Sequence, residues 1–227
     1  MQIGIFGTGV VGQTLASALI GKGHAVMIGT RDPAATLNRT TGTVAGPTTF
    51  SEWHGANPRV QLGTFADAAR FGEVLVNATS GGGALPALQA AGAEALGDKV
   101  MLDISNPLDF SKGMPPTLSV CNTDSLGEQI QRAFPDLRVV KTLNTTTAAV
   151  MVNPGAVAGG DHTMFVCGND AQARATVARL LGEWFGWRDV IDLGDITASR
   201  GAEMLLPVWL RLWGALGTPI FNFKIAR

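Results

Sequence analysis

Short apolar runs alternate with longer amphipathic stretches over the first two thirds of the chain. The apolar runs are typical of strands and fall at 2–6, 24–28, 59–62, 73–78, 99–104 and 137–142. Helical patterns lie between them, at 13–20, 33–39, 65–71, about 84–96 and 125–134. This strict alternation predicts an α/β fold of the Rossmann type, with a doubly wound, mostly parallel sheet.

The pattern changes beyond residue 154. A strand is predicted at 162–168, a helix at 170–185, a second strand at 187–193 and a long helix at 197–216. We therefore expect a dinucleotide-binding domain over 1–153 and a small C-terminal strand–helix extension over 154–227. The Thr-, Gly- and Pro-rich stretch 40–58 is interpreted as a surface excursion, with Trp53 and His54 as loop residues.

A glycine motif joins the first predicted strand to the first helix. The G-x-G-x-x-G run is Gly7-Thr8-Gly9-Val10-Val11-Gly12, and a second strand follows the helix. This order predicts a dinucleotide-binding βαβ unit. Gly7 permits the tight turn, Gly9 lets the backbone approach a pyrophosphate, and Gly12 lets the helix pack closely on the strand. The pyrophosphate is expected at the N-terminus of the helix.

The end of the second strand indicates which dinucleotide is bound. NAD-binding units place an acidic residue there, but this chain has Gly29-Thr30-Arg31-Asp32-Pro33. The hydroxyl of Thr30 and the guanidinium of Arg31 suit a 2′-phosphate. Asp32 is interpreted as the N-cap of the next helix, with Pro33 at its first position. The sequence therefore predicts NADP(H) rather than NAD.

Polar residues without titratable groups follow the later strands. Ligands of doubly wound sheets bind at the carboxyl ends of the strands, so we expect these residues around the nicotinamide. They are Thr79, Ser80, Asn106, Pro107, Asn144 and Thr145.

Candidate proton donors are scarce. The chain has no tyrosine, which excludes the Tyr-x-x-x-Lys relay of short-chain dehydrogenases. Lys141 is a weak candidate acid, with a solvated strand-end lysine as the favoured interpretation, and Glu203 is interpreted as a solvated or capping carboxylate. His24 and His162 begin strands, away from the ligand edge, and are assigned structural roles. No cluster has metal-ligand spacing, so no metal is predicted.

This scarcity bears on the reaction. Carbonyl reduction uses a positioned proton donor, worth about 10²–10⁴ in rate. Hydride transfer to a flavin or deazaflavin ring needs mainly stacked, well-oriented rings in a dry cleft. The sequence favours the second reaction. Two alternatives stay open: reduction of a small carbonyl or imine with Lys141 as acid, and a non-catalytic NADPH-binding or sensor protein.

Composition adds limits on partners and location. The chain is 46% hydrophobic with a net charge of -1, which gives no electrostatic reason to bind nucleic acid or an anionic membrane. The apolar stretch 204–216 contains Pro207 and is too short to span a bilayer. Cys121 and Cys167 are interpreted as buried small residues. The glycine motif begins at residue 7 and leaves no room for a targeting segment, so we expect a cytoplasmic protein.

Several further motifs carry a resemblance that runs nearly end to end. They are Gly29-Thr30-Arg31, Val166-Cys167-Gly168-Asn169-Asp170, Asp192-Leu193-Gly194, Ser199-Arg200, the helix entry 203–207 and the tail around Phe223-Lys224. With the glycine motif, they make the chain similar to the family of NADPH-dependent reductases of the deazaflavin coenzyme F-420. That family also includes the nucleotide domain of the STEAP metalloreductases.

The resemblance implies where the hydride acceptor lies. NADPH would lie along the strand ends, with the acceptor against the nicotinamide in a pocket partly roofed by the C-terminal helix. Asn144, Thr145 and Pro207 would form the acceptor wall, and the C-terminal part would hold a homodimer together. Family members that reduce F-420 carry a His-Thr-Ile-Pro run where this chain has 144–147, Asn-Thr-Thr-Thr. The predicted acceptor is therefore F-420 or an ordinary flavin, FMN or FAD.

Overall fold

The computed structural model describes residues 1–40 and 49–227. Strands alternate with helices along the chain. The strands are β1 Gln2–Phe6, β2 Ala25–Thr30, β3 Val60–Thr64, β4 Val74–Asn77, β5 Val100–Asp103, β6 Leu108–Asp109, β7 Thr117–Leu118, β8 Arg138–Thr142, β9 Thr163–Cys167 and β10 Asp189–Asp192. The helices are α1 Val10–Gly21, α2 Pro33–Leu37, α3 Phe50–Ala56, α4 Phe65–Phe71, α5 Gly81–Ala91, α6 Ala93–Leu96, α7 Leu126–Ala133, α8 Ala148–Val152, α9 Ala171–Phe185, α10 Ser199–Met204 and α11 Leu206–Leu216.

One sheet of eight strands forms the centre, in the order β10-β9-β8-β5-β4-β1-β2-β3. The run β3-β2-β1-β4-β5-β8 is parallel and has the strand order of a Rossmann fold. This confirms the predicted fold class. β9 runs antiparallel to β8 and parallel to β10, so the C-terminal extension continues the same sheet.

The sheet buries apolar side chains on both faces because successive strand residues point to opposite sides. In β1, Ile3 and Ile5 pack with α1, while Phe6 packs on the opposite face with Leu75 and Leu88. Gly4 shares the Phe6 face, where a Cβ would lie 2.2 Å from the carbonyl oxygen of Ala68. The doubly wound arrangement follows from this two-sided pattern.

Side-chain caps fix the helix starts near the carboxyl edge of the sheet. Asp32 accepts a hydrogen bond from the Ala35 amide at 2.9 Å, which confirms its interpretation as the N-cap of α2. Thr64 caps α4 with a reciprocal bond to Asp67, and Ser125 caps α7. These caps set where the chain leaves each strand.

The prediction that 40–58 is a loop was wrong for its second half. Thr49 and Glu52 form a capping box that starts α3, and Trp53 and His54 lie within this helix rather than in a loop. Trp53 donates from Nε1 to Ser17 Oγ at 3.3 Å. The Thr-x-x-Glu spacing was the missed signal. The remainder of the predicted loop, 41–48, lies outside the described residues.

The predicted long C-terminal helix is broken. A 3₁₀ turn at 196–198 leads into α10, and Leu205 separates α10 from α11. Pro207 explains the break, because its ring clashes with the carbonyl four residues earlier and it lacks an N–H. Gly92, at φ 84°, divides the predicted helix 84–96 in the same way. Within the described residues, no helix combines the length and the apolarity needed to cross a bilayer.

Two further interpretations are corrected. Cys121 is exposed rather than buried, whereas Cys167 is buried as expected. His162 was placed at the wrong edge, because β9 is antiparallel and its start lies at the carboxyl edge of β8. Its ring is buried and held by the carbonyl oxygen of Pro154 at 2.9 Å and by Asn222 Nδ2 at 2.8 Å. This arrangement supports the structural role assigned to it.

Candidate functional site

The glycine loop between β1 and α1 has a shape that side chains would disturb at two positions. Gly7 has φ 117°, and a Cβ there would lie 2.5 Å from the carbonyl oxygen of Ala78. A Cβ on Gly12 would lie 2.2 Å from the Gly7 oxygen. Gly9 differs, since no atom of the described residues lies within 4 Å of its Cβ position. The fold therefore requires Gly7 and Gly12, and it leaves an open approach in front of Gly9.

The N-terminus of α1 is available to an anion. Gly9 is the N-cap, and no side chain in residues 1–40 or 49–227 caps the helix. The first amide N–H groups of a helix have no partner within it, and they favour negative charge together with the helix dipole. The loop therefore fits a pyrophosphate.

A groove of 680 Å³ lies in front of this loop, and we call it the glycine groove. It brings together residues that the sequence placed in three separate motifs. Its lining includes Gly7, Thr8, Gly9, Thr30, Arg31, Asp32, Thr36, Arg39, Thr79 and Ser80.

The hydroxyl of Thr30 is engaged within the protein. Thr36 donates from Oγ1 to the Asp32 carbonyl oxygen at 2.7 Å, so Thr30 is the donor in the 2.8 Å bond between the two threonine hydroxyls. Both threonines are buried. Thr30 therefore holds the start of α2 against the end of β2, and the exposed Arg31 is the more accessible of the two predicted phosphate residues.

Arg39 is a residue that the sequence reading missed. It donates from Nη2 to Thr8 Oγ1 at 3.0 Å, from beyond the end of α2 across to the glycine loop. Arg31 and Arg39 thus bring two guanidinium groups to the glycine groove. No local motif marks Arg39, because its position depends on how the short α2 turns the chain back toward the loop.

A second space of 630 Å³ lies on the other side of the α1 N-terminus, and we call it the tryptophan cavity. Gly9 lines the glycine groove and Val10 lines the tryptophan cavity, so the two spaces meet at consecutive residues. The tryptophan cavity is lined by Val10, Val11, Thr14, Ile104, Asn106, Asn144, Thr146, Thr147, Ala148, Ala149, Met151, Leu206, Trp209, Trp213, Pro219 and Ile220.

Asn106 and Asn144 hold each other in place in the wall of this cavity. Asn106 donates from Nδ2 to the Asn144 carbonyl oxygen at 2.8 Å, and Asn144 donates from Nδ2 to Asn106 Oδ1 at 2.9 Å. Asn144 donates a second time, to the carbonyl oxygen of Ala202 in α10, at 3.2 Å. These bonds join the ends of β5 and β8 to the C-terminal helices.

Besides Gly12, which lies within α1, three of the predicted residues lie beside the cavities rather than in their lining. Thr145 is buried behind the wall, where its hydroxyl has no hydrogen-bond partner among the described residues. Pro107 precedes β6 and accepts a hydrogen bond from the Ser119 amide. Pro207 is exposed at the start of α11, while Trp209 and Trp213 of that helix face the cavity. At these three positions, neighbouring residues line the space instead of the residue that the sequence singled out.

Comparison with known proteins agrees with this geometry. Residues 2–107 match the family model described as coenzyme F-420-dependent NADP oxidoreductase. A solved structure of a candidate F-420-dependent NADP-reductase from Arthrobacter sp. FB24 is 62% identical, with a TM-score of 0.95 over 100% of both chains. The chain belongs to the coenzyme F-420-dependent NADP oxidoreductase family. It is an NADP-dependent oxidoreductase, and the resemblance seen in the sequence is confirmed.

Two further proteins are more distantly similar to the chain. The metalloreductase STEAP3 of Rattus norvegicus is 27% identical over 215 residues, which are 92% of this chain and 38% of that protein. The chain thus spans 38% of the length of this curated relative. A reductive aminase from Aspergillus terreus, solved with NADPH and ethyl levulinate, is 17% identical, with a TM-score of 0.63 over 95% of this chain and 62% of that one. This last likeness shows a shared fold.

Lys141 is not the solvated strand-end lysine that the sequence favoured. Its side chain is fully buried, with Nζ 2.6 Å from Asp103 Oδ2, 2.8 Å from Glu203 Oε1 and 2.7 Å from the Ser105 carbonyl oxygen. Burial alone lowers the pKa of Lys141, but the two facing carboxylates outweigh it and raise the pKa above its ordinary value. Lys141 lines neither the glycine groove nor the tryptophan cavity, and its position argues against a role as proton donor.

Glu203 is buried rather than solvated, and it caps α7 rather than its own helix, α10. Its carboxylate accepts from the amides of Leu126 at 2.9 Å and Gly127 at 3.0 Å, at the start of α7. A Cβ on Gly127 would lie 2.6 Å from Ser199 Oγ, so the close approach of α7 to α10 requires glycine at this position. The helix N-terminus stabilises the negative charge of Glu203.

Asp103 joins this group to the glycine groove. Its Oδ1 accepts from Asn77 Nδ2 at 2.9 Å, and Asn77 Oδ1 accepts from the Thr79 hydroxyl at 2.7 Å. Thr79 in turn lines the glycine groove. A buried polar chain therefore runs from the groove through Asp103 and Lys141 to α10.

Proposed function

We propose that the protein transfers hydride between NADP(H) and a flavin-like acceptor, either coenzyme F-420 or FMN or FAD. The observation that carries this proposal is the meeting of the glycine groove and the tryptophan cavity at the N-terminus of α1. A dinucleotide with its pyrophosphate at the glycine loop would extend its nicotinamide toward the aromatic wall. NADPH supplies the hydride, and the protein supplies position and exclusion of water.

The glycine loop is assigned to the pyrophosphate, with Gly7, Thr8 and Gly9 in the groove and Val10, Val11 and Gly12 at the start of α1. Arg31 is assigned to the 2′-phosphate, and Arg39 joins it because it reaches across the same groove. Thr30, first expected to contact the phosphate directly, is assigned a supporting role at the end of β2, because its hydroxyl hydrogen is donated to Thr36. A guanidinium presents a fork of N–H donors that matches a phosphate. These contacts support NADP over NAD.

The strand ends are assigned to the ribose and nicotinamide. Thr79 is held in position by its bond to Asn77, and Ser80 lines the groove without capping α5, which leaves its hydroxyl for a ribose. Asn106 lines the tryptophan cavity beside Ile104, and Pro107 positions the turn that follows. These side chains contribute hydrogen bonds and shape, not protons.

The acceptor is assigned to the tryptophan cavity, whose wall includes Asn144. Thr145 and Pro207 support this wall from behind, in place of the direct contact first expected of them. Among the described lining residues, no side chain titrates near neutral pH, which suits an acceptor that needs no protein proton donor.

Single-turnover mixing of NADPH-loaded protein with F-420, FMN and FAD, followed by absorbance, tests the assignment. We expect reduction of at least one of these rings. Hydride passing to a ketone or imine and never to a flavin would contradict the proposal and favour a carbonyl or imine reductase. Tight NADPH binding without reduction of any acceptor would favour a sensor.

We also propose a cytoplasmic homodimer assembled through the C-terminal extension, 154–227. Both cysteines are free and one is exposed, which suits a reducing compartment. Val208 and Leu216 of α11 are 47% and 56% exposed, and a second copy of the chain would cover them. Light scattering of the Leu216→Glu variant tests this, with a monomer as the expected result. A dimer that persists unchanged in the variant would contradict the proposed interface.

A further inference from the structure

The strand order of the sheet indicates which half of the cofactor Thr79 contacts. Arg31, assigned to the 2′-phosphate, follows β2, and the glycine loop assigned to the pyrophosphate follows β1. β4 is the neighbour of β1 on the side away from β2. A dinucleotide that lies along the carboxyl edge in this order has its nicotinamide ribose beyond the end of β4, where Thr79 lines the glycine groove.

The side-chain amide of Asn77, the last residue of β4, has only one possible orientation. Asp103 Oδ2 lies 2.6 Å from Lys141 Nζ, so Asp103 is the carboxylate of an ion pair and its oxygens only accept hydrogen bonds. The Asn77 atom that lies 2.9 Å from Asp103 Oδ1 is therefore the donor, Nδ2. On the other side, the backbone nitrogen of Thr79 lies 3.3 Å from Asn77 Oδ1 and only donates, so this side independently requires the oxygen.

This orientation fixes the polarity of the Thr79 hydroxyl. Thr79 Oγ1 donates to Asn77 Oδ1 at 2.7 Å, which uses the one hydrogen that a hydroxyl has. The hydroxyl can therefore offer the glycine groove only its lone pairs, as a hydrogen-bond acceptor. An ionised phosphate has no hydrogen to donate to it, whereas a ribose hydroxyl does. The nicotinamide ribose directly follows the pyrophosphate, so its hydroxyls are the first donors beyond β1.

The groups behind Asn77 hold its amide in place. Asp103 Oδ1 also accepts from the Ser105 amide at 3.2 Å and from the Ser105 hydroxyl at 2.6 Å. Asn77, Asp103, Ser105 and Lys141 are each at most 2% exposed, so water does not compete for these bonds. Hydrogen bonds to an ionised group in such surroundings are short and strong. A buried ion pair thus orients a hydroxyl of the groove through one intervening side chain.

We propose that Asn77 is a positioning residue for the cofactor, which fixes the Thr79 hydroxyl as an acceptor for a hydroxyl of the nicotinamide ribose. The inference rests on the proposed function and deepens it, since it names the group recognised and the residue that acts from behind. A hydrogen bond whose donor and acceptor are settled in advance needs no reorientation when the cofactor binds. Asn77 is fully buried and does not line the groove, so its effect on binding passes through Thr79.

A double-mutant cycle on NADPH binding, measured by calorimetry, tests this role. Thr79→Val keeps the shape of the side chain but removes the acceptor, and we expect the dissociation constant for NADPH to rise about three- to tenfold. Asn77→Leu leaves the Thr79 hydroxyl without its partner, and we expect a rise of about two- to fivefold. The double variant should bind NADPH as Thr79→Val does, within about twofold. Losses that multiply, or native affinity in either single variant, would overturn the inference.

Two milder variants keep the test decisive if Asn77→Leu folds poorly. Asn77→Ala removes the same partner with a smaller side chain and should give the same result in the cycle. Thr79→Ser retains the hydroxyl and should bind NADPH within about twofold of the wild type. Thr79→Ser binding as weak as that of Thr79→Val would show that the cofactor does not contact the hydroxyl, and would overturn the inference.

Adenosine 2′,5′-bisphosphate distinguishes positioning from general damage, because it carries the 2′-phosphate but lacks the nicotinamide ribose. We expect each variant to bind it within about twofold of the wild type. Thr142→Val is the matched control, since Thr142 is buried, donates to the Phe165 carbonyl oxygen at 2.8 Å and lies outside the glycine groove. It should lose stability but keep its affinity for NADPH. Weakened bisphosphate binding in Asn77→Leu, or an equal loss of NADPH affinity in Thr142→Val, would overturn the inference.

Single-turnover reduction of F-420, FMN and FAD by the same proteins separates this inference from the proposed function. The expected cycle in a protein that reduces none of these acceptors would sink hydride transfer to a flavin and leave the positioning of Thr79 standing. Reduction of an acceptor, together with losses of NADPH affinity that multiply in the cycle, would support the proposed function and overturn the inference.

Discussion

Lys141 Nζ lies 2.8 Å from Glu203 Oε1, and this contact joins the sheet to the C-terminal helices. Lys141 belongs to β8, and Glu203 belongs to α10, which leads through Leu205 into α11 and its two tryptophans. Asp103 of β5 completes the group at 2.6 Å from the same nitrogen. The wall of the tryptophan cavity is thereby tied to the strand ends that carry the proposed nicotinamide contacts.

Removal of Lys141 tests how strongly this group holds the fold. Lys141→Met would leave two carboxylates buried without their cation, and we expect a loss of about 3–5 kcal/mol in the free energy of unfolding. Urea denaturation measures it. Arg179→Met is the matched control, because Arg179 pairs with Glu183 at the surface and its loss should cost below about 1 kcal/mol. Equal small losses in both variants would refute the importance of the buried group.

The ion pairs of Lys141 also predict that the stability of the fold changes with pH in the alkaline range. The pKa of Lys141 is raised by its carboxylate partners, which outweigh burial, above an ordinary value of 10.5. A raised folded-state pKa gives stability that is fully present below the unfolded pKa and is lost as the pH rises through the folded value. We therefore expect the difference in stability between wild type and Lys141→Met to be constant up to about pH 10 and to shrink above it. Urea denaturation of both proteins from neutral to alkaline pH measures this, and a difference that grows with pH would contradict the assigned ion pairs.

The glycine loop allows a matched pair of substitutions with opposite expected effects. Gly12→Ala places a methyl group 2.2 Å from the Gly7 oxygen and should destabilise the fold. Gly9→Ala meets no atom within 4 Å in the described part of the chain and should leave the melting temperature nearly unchanged. Its methyl group would stand where the pyrophosphate is proposed to approach, so we expect NADPH binding to weaken by at least about tenfold. Gly9→Ala with native NADPH affinity would contradict the assigned pyrophosphate position.

The elements around this loop could be predicted because their rules are local. The glycine spacing, the Asp32-Pro33 cap and the Ser125 cap each depend on residues within one turn. The buried group could not be predicted, since Asp103, Lys141 and Glu203 come from three distant elements and no local pattern relates them. Lys141 at the end of a strand looked solvated because its partners arrive only when β5, β8 and α10 pack together.

A helix break and the direction of one strand explain why some residues lie elsewhere than the sequence predicted. Pro207 was assigned to the wall, but the break at Leu205 leaves it exposed and places the buried Trp209 and the half-exposed Trp213 in the lining of the cavity. His162 was discounted for lying at the wrong edge, because the antiparallel direction of β9 leaves no mark in its apolar pattern. By contrast, α3 had a local signal in Thr49 and Glu52.

Cofactor choice is tested through the two arginines of the glycine groove. Arg31→Ala should weaken NADPH far more than NADH, because only NADPH carries the 2′-phosphate that the guanidinium is proposed to contact. A lost hydrogen bond to a charged group costs about 1.5–3 kcal/mol, so we expect about a 10- to 100-fold rise in the dissociation constant for NADPH. Arg39→Ala should act in the same direction, since Arg39 reaches the groove from its other side. Cofactor fluorescence titration gives both constants.

Arg70→Ala serves as the control for these variants, because Arg70 is an exposed arginine of α4 whose side chain pairs with Asp67 rather than facing the groove. It should change neither constant. An equal loss of NADPH and NADH in Arg31→Ala would refute the phosphate role, since the two cofactors share every group except that phosphate. If Arg39→Ala alone weakened NADPH selectively, the phosphate role would belong to Arg39 rather than to Arg31. The sequence marked Arg31, whereas only the folded chain brings Arg39 to the groove.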